Sequence, residues 1–196
     1  MRVALVVGHA RDAQGARAVD GVTEWVWNTT FATMIHDELA ALGVTSKVFM
    51  RPTVPNRMKV LTDQVNVWGP DLVLSLHFNS VGDPGPRGAL AVYYPGSTAG
   101  QAWAKRLVRA IEPCIGHGYR EGGFKAQARS WSRAKTLTNG RIVPDGTPLY
   151  VLKLTRAPAV ILEPHFGSNQ IDHRRSTLVR PQMAAALAAE IAGGAP

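Results

Sequence analysis

The chain contains a single cysteine, Cys114, which excludes an intrachain disulfide framework and any zinc cluster built on paired Cys-x-x-Cys. A metal would have to be held by histidines and carboxylates. No histidine flanks Cys114 in an activating motif, so its expected role is that of a small apolar residue rather than a nucleophile. No apolar run approaches the roughly 20 residues that span a bilayer, so no membrane insertion is expected. The opening apolar stretch, Val3 to Val7, is too short for a signal-peptide core and runs straight into Gly8, His9 and Arg11. The expected product is made in the cytoplasm without a signal peptide. Acidic residues are scarce, 14 against 22 lysines and arginines, and the net charge of +8 favours polyanionic partners: nucleic acid, an anionic membrane face, or the carboxylates and phosphates of a bacterial wall. Three familiar signatures are also missing: a His-Glu-x-x-His helix, a Gly-x-Ser-x-Gly elbow and a Walker loop. Gly116-His117-Gly118 is no dinucleotide fingerprint, because it follows no clear strand and lacks the third glycine.

What the chain does have is a regular alternation of short apolar runs and amphipathic segments, the pattern of an α/β sheet with helices packed on its faces. Its 196 residues suit a single domain. Val3 to Val7, Ser46 to Met50, Asp71 to Leu76, Ala89 to Tyr94 and Ala159 to Leu162 read as strands. A helix beginning at Thr23 or Glu24 carries Trp27, Phe31, Met34, Ile35, Leu39 and Leu42 at three- and four-residue spacing and stops at Gly43. Further helices are expected from Pro55 to Trp68, from Ala99 to Ile111 with Lys105, Arg106 and Arg109 on the wet side, and from Arg180 to Ala192. The segment from Ile115 to Pro148 is rich in glycine and basic residues and lacks periodicity, so it reads as a long loop or insertion.

Three of the expected buried strands end in a group that can bind metal or move a proton. Val3 to Val7 leads to His9, Asp71 to Leu76 leads to His77, and Ala159 to Leu162 leads to Glu163. If these strands are parallel, the groups gather at the carboxyl edge of one sheet, where open α/β folds place their sites. Glu24, at the start of the first helix and on the face of Trp27, Phe31 and Ile35, points its carboxylate towards that sheet. Alone, it is better explained as an acid favourably placed at a helix N-terminus, worth about 0.3–1 kcal/mol. Two histidines with one carboxylate form a set used by catalytic zinc sites, with a fourth position open for water.

At these residues the chain resembles the zinc-dependent N-acetylmuramoyl-L-alanine amidases of cell-wall turnover and phage lysis. The marks are Gly8-His9, Glu24 with Asn28, Arg51, Ser75 to Asn79, and Pro158 to Glu163 followed by Phe166, Ser168 and Asn169. The resemblance implies a twisted, largely parallel β-sheet flanked by helices on both faces, with residues 1–196 as one zinc amidase domain. It implies His9, Glu24 and His77 as ligands of a Zn2+ ion, Glu163 as the catalytic acid/base, and hydrolysis of the amide between N-acetylmuramic acid and L-alanine by zinc-activated water. Asn28 and Asn79 are candidates for orienting ligands or substrate, and equally for polar structural roles at a helix turn and a strand end. The family's Asp-Pro-Gly-His-Gly-Gly opening is here Val6-Val7-Gly8-His9-Ala10-Arg11, which keeps the histidine. After Glu163 comes Pro164-His165 where a glycine is common; His165 is a candidate extra partner for metal or substrate, with a surface position expected.

A zinc carboxypeptidase or other amidohydrolase would use the same kind of centre on a different amide. A basic nucleic-acid-binding module would use Arg120, Lys125, Arg129, Arg133, Lys135 and Arg141 with Tyr119, Phe124 and Trp131 interleaved. That second alternative accounts for the charge but gives no reason for the acids and histidines at the strand ends. The expected partner is therefore peptidoglycan, with no nucleic acid, and the expected protein is a monomeric phage-type lysin that reaches the cell wall after release.

Overall fold

The computed structural model describes residues 1–116, 124–128, 135–136, 142–143 and 149–194. The strands are β1 (Arg2–Val7), β2 (Thr45–Phe49), β3 (Leu72–Leu76), β4 (Ala89–Tyr93), β5 (Phe124–Ala128), β6 (Lys135–Thr136), β7 (Ile142–Val143) and β8 (Ala159–Glu163). The helices are α1 (Glu24–Ala41), α2 (Arg57–Trp68), α3 (Thr98–Ile115), α4 (Tyr150–Leu154), α5 (Gln170–Leu178) and α6 (Arg180–Ala192).

Six strands form one sheet in the order β2-β1-β3-β8-β4-β5. Every neighbouring pair is parallel except β4 with β8. Alternate residues of each strand face opposite sides, as the pleat requires. Val3, Leu5 and Val7 of β1 join Leu72, Leu74 and Leu76 of β3 and Val160 and Leu162 of β8 in a core covered by α1, α3 and α6. Ala4, Val6, Val73, Ala159 and Ile161 face the other way, against Leu61 and Val65 of α2 and Val151 and Leu152 of α4. Both faces are thus dressed with helices, and the central strands are apolar on both sides as buried parallel strands are. No described helix is long and apolar enough to cross a membrane.

The first helix determines where Glu24 sits. Thr23 caps it, its side chain accepting from the Val26 amide, and the positive φ of Gly43, 73°, ends it in a conformation suited to glycine. Trp27, Phe31, Ile35 and Leu39 are sealed against the sheet, each at 0 or 1% exposure. Burying side chains of this size stabilises by about 1.5–3 kcal/mol apiece. Together they fix the rotation of α1, and that rotation drives Glu24 into the interior.

The structure departs from the sequence-based expectations in several places. The stretch from Ile115 to Pro148 is not simply loop, for it contains β5, which extends the main sheet, and the short β6-β7 pair. Tyr119, Arg120, Arg129, Trp131, Arg133 and Arg141 lie outside the described residues, as do the side chains of Phe124, Lys125 and Lys135. The helices α4 and α5 have no counterpart in the sequence pattern; five residues are too few to show a period, and α5 is mostly polar with little apolar stripe. Arg106 does not simply face water. Its guanidinium pairs with Glu190 and donates to the Gly194 carbonyl at 2.8 Å, tying α3 to the end of α6. Cys114 is half-buried and unoxidised, and burial pushes its thiol pKa up, consistent with an inert role.

Candidate active site

Parallel pairing of β1, β3 and β8 brings three strand ends side by side. The ladder continues past the strands: Gly8 donates to the Leu76 carbonyl at 2.8 Å and His77 to the Leu162 carbonyl at 3.0 Å. His9, His77 and Glu163 therefore leave the same sheet edge from adjacent strands, as the sequence pattern predicts. The backbone turns sharply there. His9 has φ 66°, a left-handed conformation uncommon for a residue with a side chain and typical of functional sites. Gly8 makes the approach possible, since a Cβ at this position would meet the His77 ring at 2.7 Å and the Leu76 carbonyl oxygen.

Glu24 lies between the two histidines. Its Oε2 is 2.9 Å from His9 Nε2 and its Oε1 2.8 Å from His77 Nδ1. The backbone amides of Ala16 and Phe78 also donate to it, at 3.3 and 3.4 Å. Burial alone would raise the pKa of this 4%-exposed carboxyl, yet the charge and hydrogen bonds of His9 and His77 outweigh that and hold it well below the usual range. For His77 burial wins, pulling its imidazole below the usual value in spite of the Glu24 carboxylate. The site thus offers an ionised carboxylate and an imidazole biased towards its neutral form, the protonation states that metal ligands need. One ligand atom from each of His9, Glu24 and His77 falls within 4.8 Å of the others. Among the described residues this is the one group of three or more such side chains.

Arg51, just beyond β2, adds positive charge. Burial pulls its guanidinium pKa down, with Arg57 acting in the same direction and the carboxylates of Glu24 and Asp12 opposing. It also lowers the pKa of His77. Gly15 closes the loop from the far side, and its φ of 80° is one only glycine adopts readily. A Cβ there would sit 2.6 Å from His9 Cδ2 and 2.7 Å from Glu24 Oε2. Gly15→Ala is expected to displace one of these two side chains and to destabilise the fold by about 1–2 kcal/mol through backbone strain. Thermal unfolding together with metal titration measures both effects.

Asn28 is fully buried and donates from Nδ2 to the Glu24 carbonyl at 2.8 Å, bracing the turn that carries the carboxylate. Asn79 works through its backbone, donating to the His165 carbonyl at 2.9 Å and accepting from Gly167 at 2.7 Å. This pins the turn after Glu163 to the end of β3. Ser168 and Asn169 are framework residues: Ser168 Oγ accepts from the Val81 amide at 3.2 Å, and Asn169 caps α5 through the Asp172 amide at 2.9 Å. The surface position expected for His165 is corrected by the structure. The residue is 0% exposed, its ring 4.6 Å from that of Trp27 and 5.2 Å from that of Phe78. Pro164 and the turn clamped by Asn79 hold it inward, which a lone histidine in a sequence gives no means of seeing. The structural roles of Arg51 and Gly15, and the burial of His173 beside His165, are likewise visible only in three dimensions.

Comparison with known proteins identifies the family and the fold. The family model described as N-acetylmuramoyl-L-alanine amidase matches residues 3–195. No curated protein sequence matches significantly. Among solved structures, the catalytic domain of the CD27L endolysin targeting Clostridia difficile superposes with a TM-score of 0.77 at 21% identity, covering 100% of this chain and 99% of that one. The amidase Ami1 from Mycobacterium smegmatis gives 0.75 at 21% identity, covering 98% and 95%. The CwlD amidase from Clostridioides difficile, solved in complex with the GerS lipoprotein, gives 0.78 at 15% identity, covering 97% and 95%. At these identities the structural matches speak for the fold, and the family model, which spans nearly the whole chain, speaks for membership: the chain belongs to the N-acetylmuramoyl-L-alanine amidase family.

Proposed function

We propose that the protein is a zinc-dependent peptidoglycan amidase in which His9, Glu24 and His77 hold the metal and Glu163 is the acid/base for hydrolysis of the bond between N-acetylmuramic acid and L-alanine. The observation that carries this reading is the convergence of one donor from each of the three ligand residues within 4.8 Å, at the sheet edge where β8 delivers Glu163. The donor set fits zinc: two imidazoles and one carboxylate, partly shielded from solvent, with the carboxylate already ionised. Bound there, zinc supplies Lewis acidity that polarises an amide carbonyl and makes a water more acidic.

The chain's own residues do the rest. Glu24, between both histidines, keeps their rings turned towards a common point. Asn28 holds the Glu24 turn, and Arg51 partly balances its charge. Glu163, fixed at the end of a buried strand, accepts a proton from the attacking water and returns it to the departing amine of L-alanine. The test is to incubate purified sacculi with the protein and assay new free alanine amino groups against reducing sugar ends. Amino groups alone are expected; reducing ends would indicate a glycosidase, and neither product would reject the reading.

We also infer a phage-type lytic role for a monomeric catalytic unit that acts at the cell wall. Support comes from the fold shared with an endolysin catalytic domain and from the net charge of +8, which suits an anionic wall without any need for nucleic acid. The basic segment between Ile115 and Pro148 is the proposed wall contact. Neutralising Arg129, Arg133 and Lys135 together is expected to weaken sacculus binding at low salt and to leave metal content unchanged, and the benefit of these charges is expected to fade as salt screens them beyond about 8 Å at physiological ionic strength. Pull-down with sacculi across a salt series checks this; binding unaltered at low salt contradicts it.

A further inference from the structure

Behind the candidate metal cluster lies a row of buried polar groups that the hydrolytic chemistry does not use. His165 Nε2 is 3.0 Å from His173 Nδ1, and His173 Nε2 is 3.0 Å from Asp20 Oδ2. The two imidazoles are 0% and 2% exposed, whereas the Asp20 side chain is about half exposed at 48%. Asp20 and His173 line a surface cavity of about 320 Å³ together with Val19, Gln170, Arg174 and Thr177. The row therefore runs from solvent to the aromatic layer of Trp27 and Phe78 behind the site.

Its inner end touches both elements that carry candidate ligands. The His165 ring packs against Trp27, one helical turn after Glu24, and against Phe78, which follows His77. Trp27 is itself held by its indole N–H donating to Thr177 Oγ1 at 3.0 Å. The Phe78 amide approaches Glu24 Oε1 at 3.4 Å. His165 thus packs at once against the helix that carries Glu24 and against the residue that follows His77, and it lies two residues beyond Glu163.

The direction of the hydrogens follows from the outer end. An ionised carboxylate only accepts, so the 3.0 Å ion-pair approach of His173 Nε2 to Asp20 Oδ2, although not a hydrogen bond of regular geometry, favours a proton of His173 at Nε2. If that is the only proton on the ring, His173 Nδ1 is a bare acceptor for an N–H at Nε2 of His165, 3.0 Å away. That leaves His165 Nδ1 as a lone pair, buried and without a hydrogen-bond partner among the described residues. A single surface carboxylate in this way orders two buried rings.

We propose that His165 is a positioning residue for the metal centre, its ring orientation set through His173 by Asp20 and transmitted to Glu24 and His77 through Trp27 and Phe78. This rests on the zinc assignment above, which metal binding by the wild-type protein tests separately. Asp20→Ala is expected to weaken zinc binding about tenfold, the low end of what outer supporting groups are worth to a metal site, and Asp20→Asn, which retains an acceptor oxygen, is expected to restore most of it. Because Asp20 Oδ1 also accepts from the Val22 amide at 3.0 Å, a double-mutant cycle separates the routes. In His165→Phe, which retains a ring between Trp27 and Phe78, adding Asp20→Ala should cost nothing further if the effect runs through His165.

The experiment is chelator-competition measurement of zinc affinity for the wild type, Asp20→Ala, Asp20→Asn, His165→Phe and the double variant, with nitrogen-15 NMR of the imidazoles in the metal-free wild type. Non-additive losses and protons at Nε2 of both rings support the proposal. Additive losses, an unchanged affinity in Asp20→Ala, or a proton on His165 Nδ1 would overturn it. A wild type that binds no zinc would instead reject the metal assignment, while the NMR readout would still decide the ordering of the rings.

Discussion

His77→Ala should yield a folded protein that retains almost no zinc and has no measurable activity on sacculi. The side chain is partly exposed at the strand end rather than part of the apolar core, so its removal opens no large cavity in the packing that holds α1 to the sheet. What it removes is one of the three proposed donors. Outer supporting groups alone are worth about 10–100-fold in metal affinity, and loss of a direct ligand should exceed that. Elemental analysis after dialysis checks the first half, and thermal unfolding with and without added zinc checks the second. The wild type should gain stability from zinc by mass action, whereas His77→Ala should gain little. A full equivalent of zinc retained by the variant would remove His77 from the ligand set.

Glu163→Gln should separate chemistry from metal binding. Glutamine preserves the size and shape of the side chain but cannot accept the proton of the attacking water. The expected loss in turnover is about 10²–10⁴-fold, the usual worth of a general acid/base, with zinc content and folding unchanged. The position favours this separation, because Glu163 ends a buried strand and is paired by register with Leu90, so its backbone is fixed from the β4 side. If the variant loses its zinc, Glu163 is a ligand and the role of Glu24 must be reconsidered. If turnover survives nearly intact, the proton goes elsewhere. His165, buried behind Trp27 and Phe78, would then be the next candidate acceptor, a role other than positioning.

Much of this arrangement is visible in the residues themselves. Short, mainly apolar runs predict β1, β3 and β8, and His9, His77 and Glu163, which follow them, mark the sheet edge. The four-residue spacing of Trp27, Phe31 and Ile35 predicts the face of α1 and hence the inward aim of Glu24. Those signals are legible because they arise from local periodicity and from the strong preference of large apolar side chains for the interior. The remaining features depend on tertiary context. That β8 is inserted between β3 and β4, antiparallel to the latter, depends on how long-range pairing is resolved. β5 is hidden within a glycine-rich, basic segment whose composition suggests a loop. His165 reads as a surface residue because histidine is amphipathic and its neighbours Trp27 and Phe78 are far away in sequence. Gly15 carries no local signal at all; its importance lies in the closeness of His9 and Glu24, which only the folded loop creates.

Whether His9, Glu24 and His77, and not Glu163, bind a single zinc ion is decided by anomalous diffraction at the zinc edge from crystals of the zinc-loaded protein. One strong peak per chain is expected, with nitrogen of both histidines and oxygen of Glu24 at about 2.0–2.2 Å and the Glu163 carboxylate outside bonding distance. A peak bonded to Glu163 in place of Glu24, or no peak at this sheet edge, would contradict the assignment.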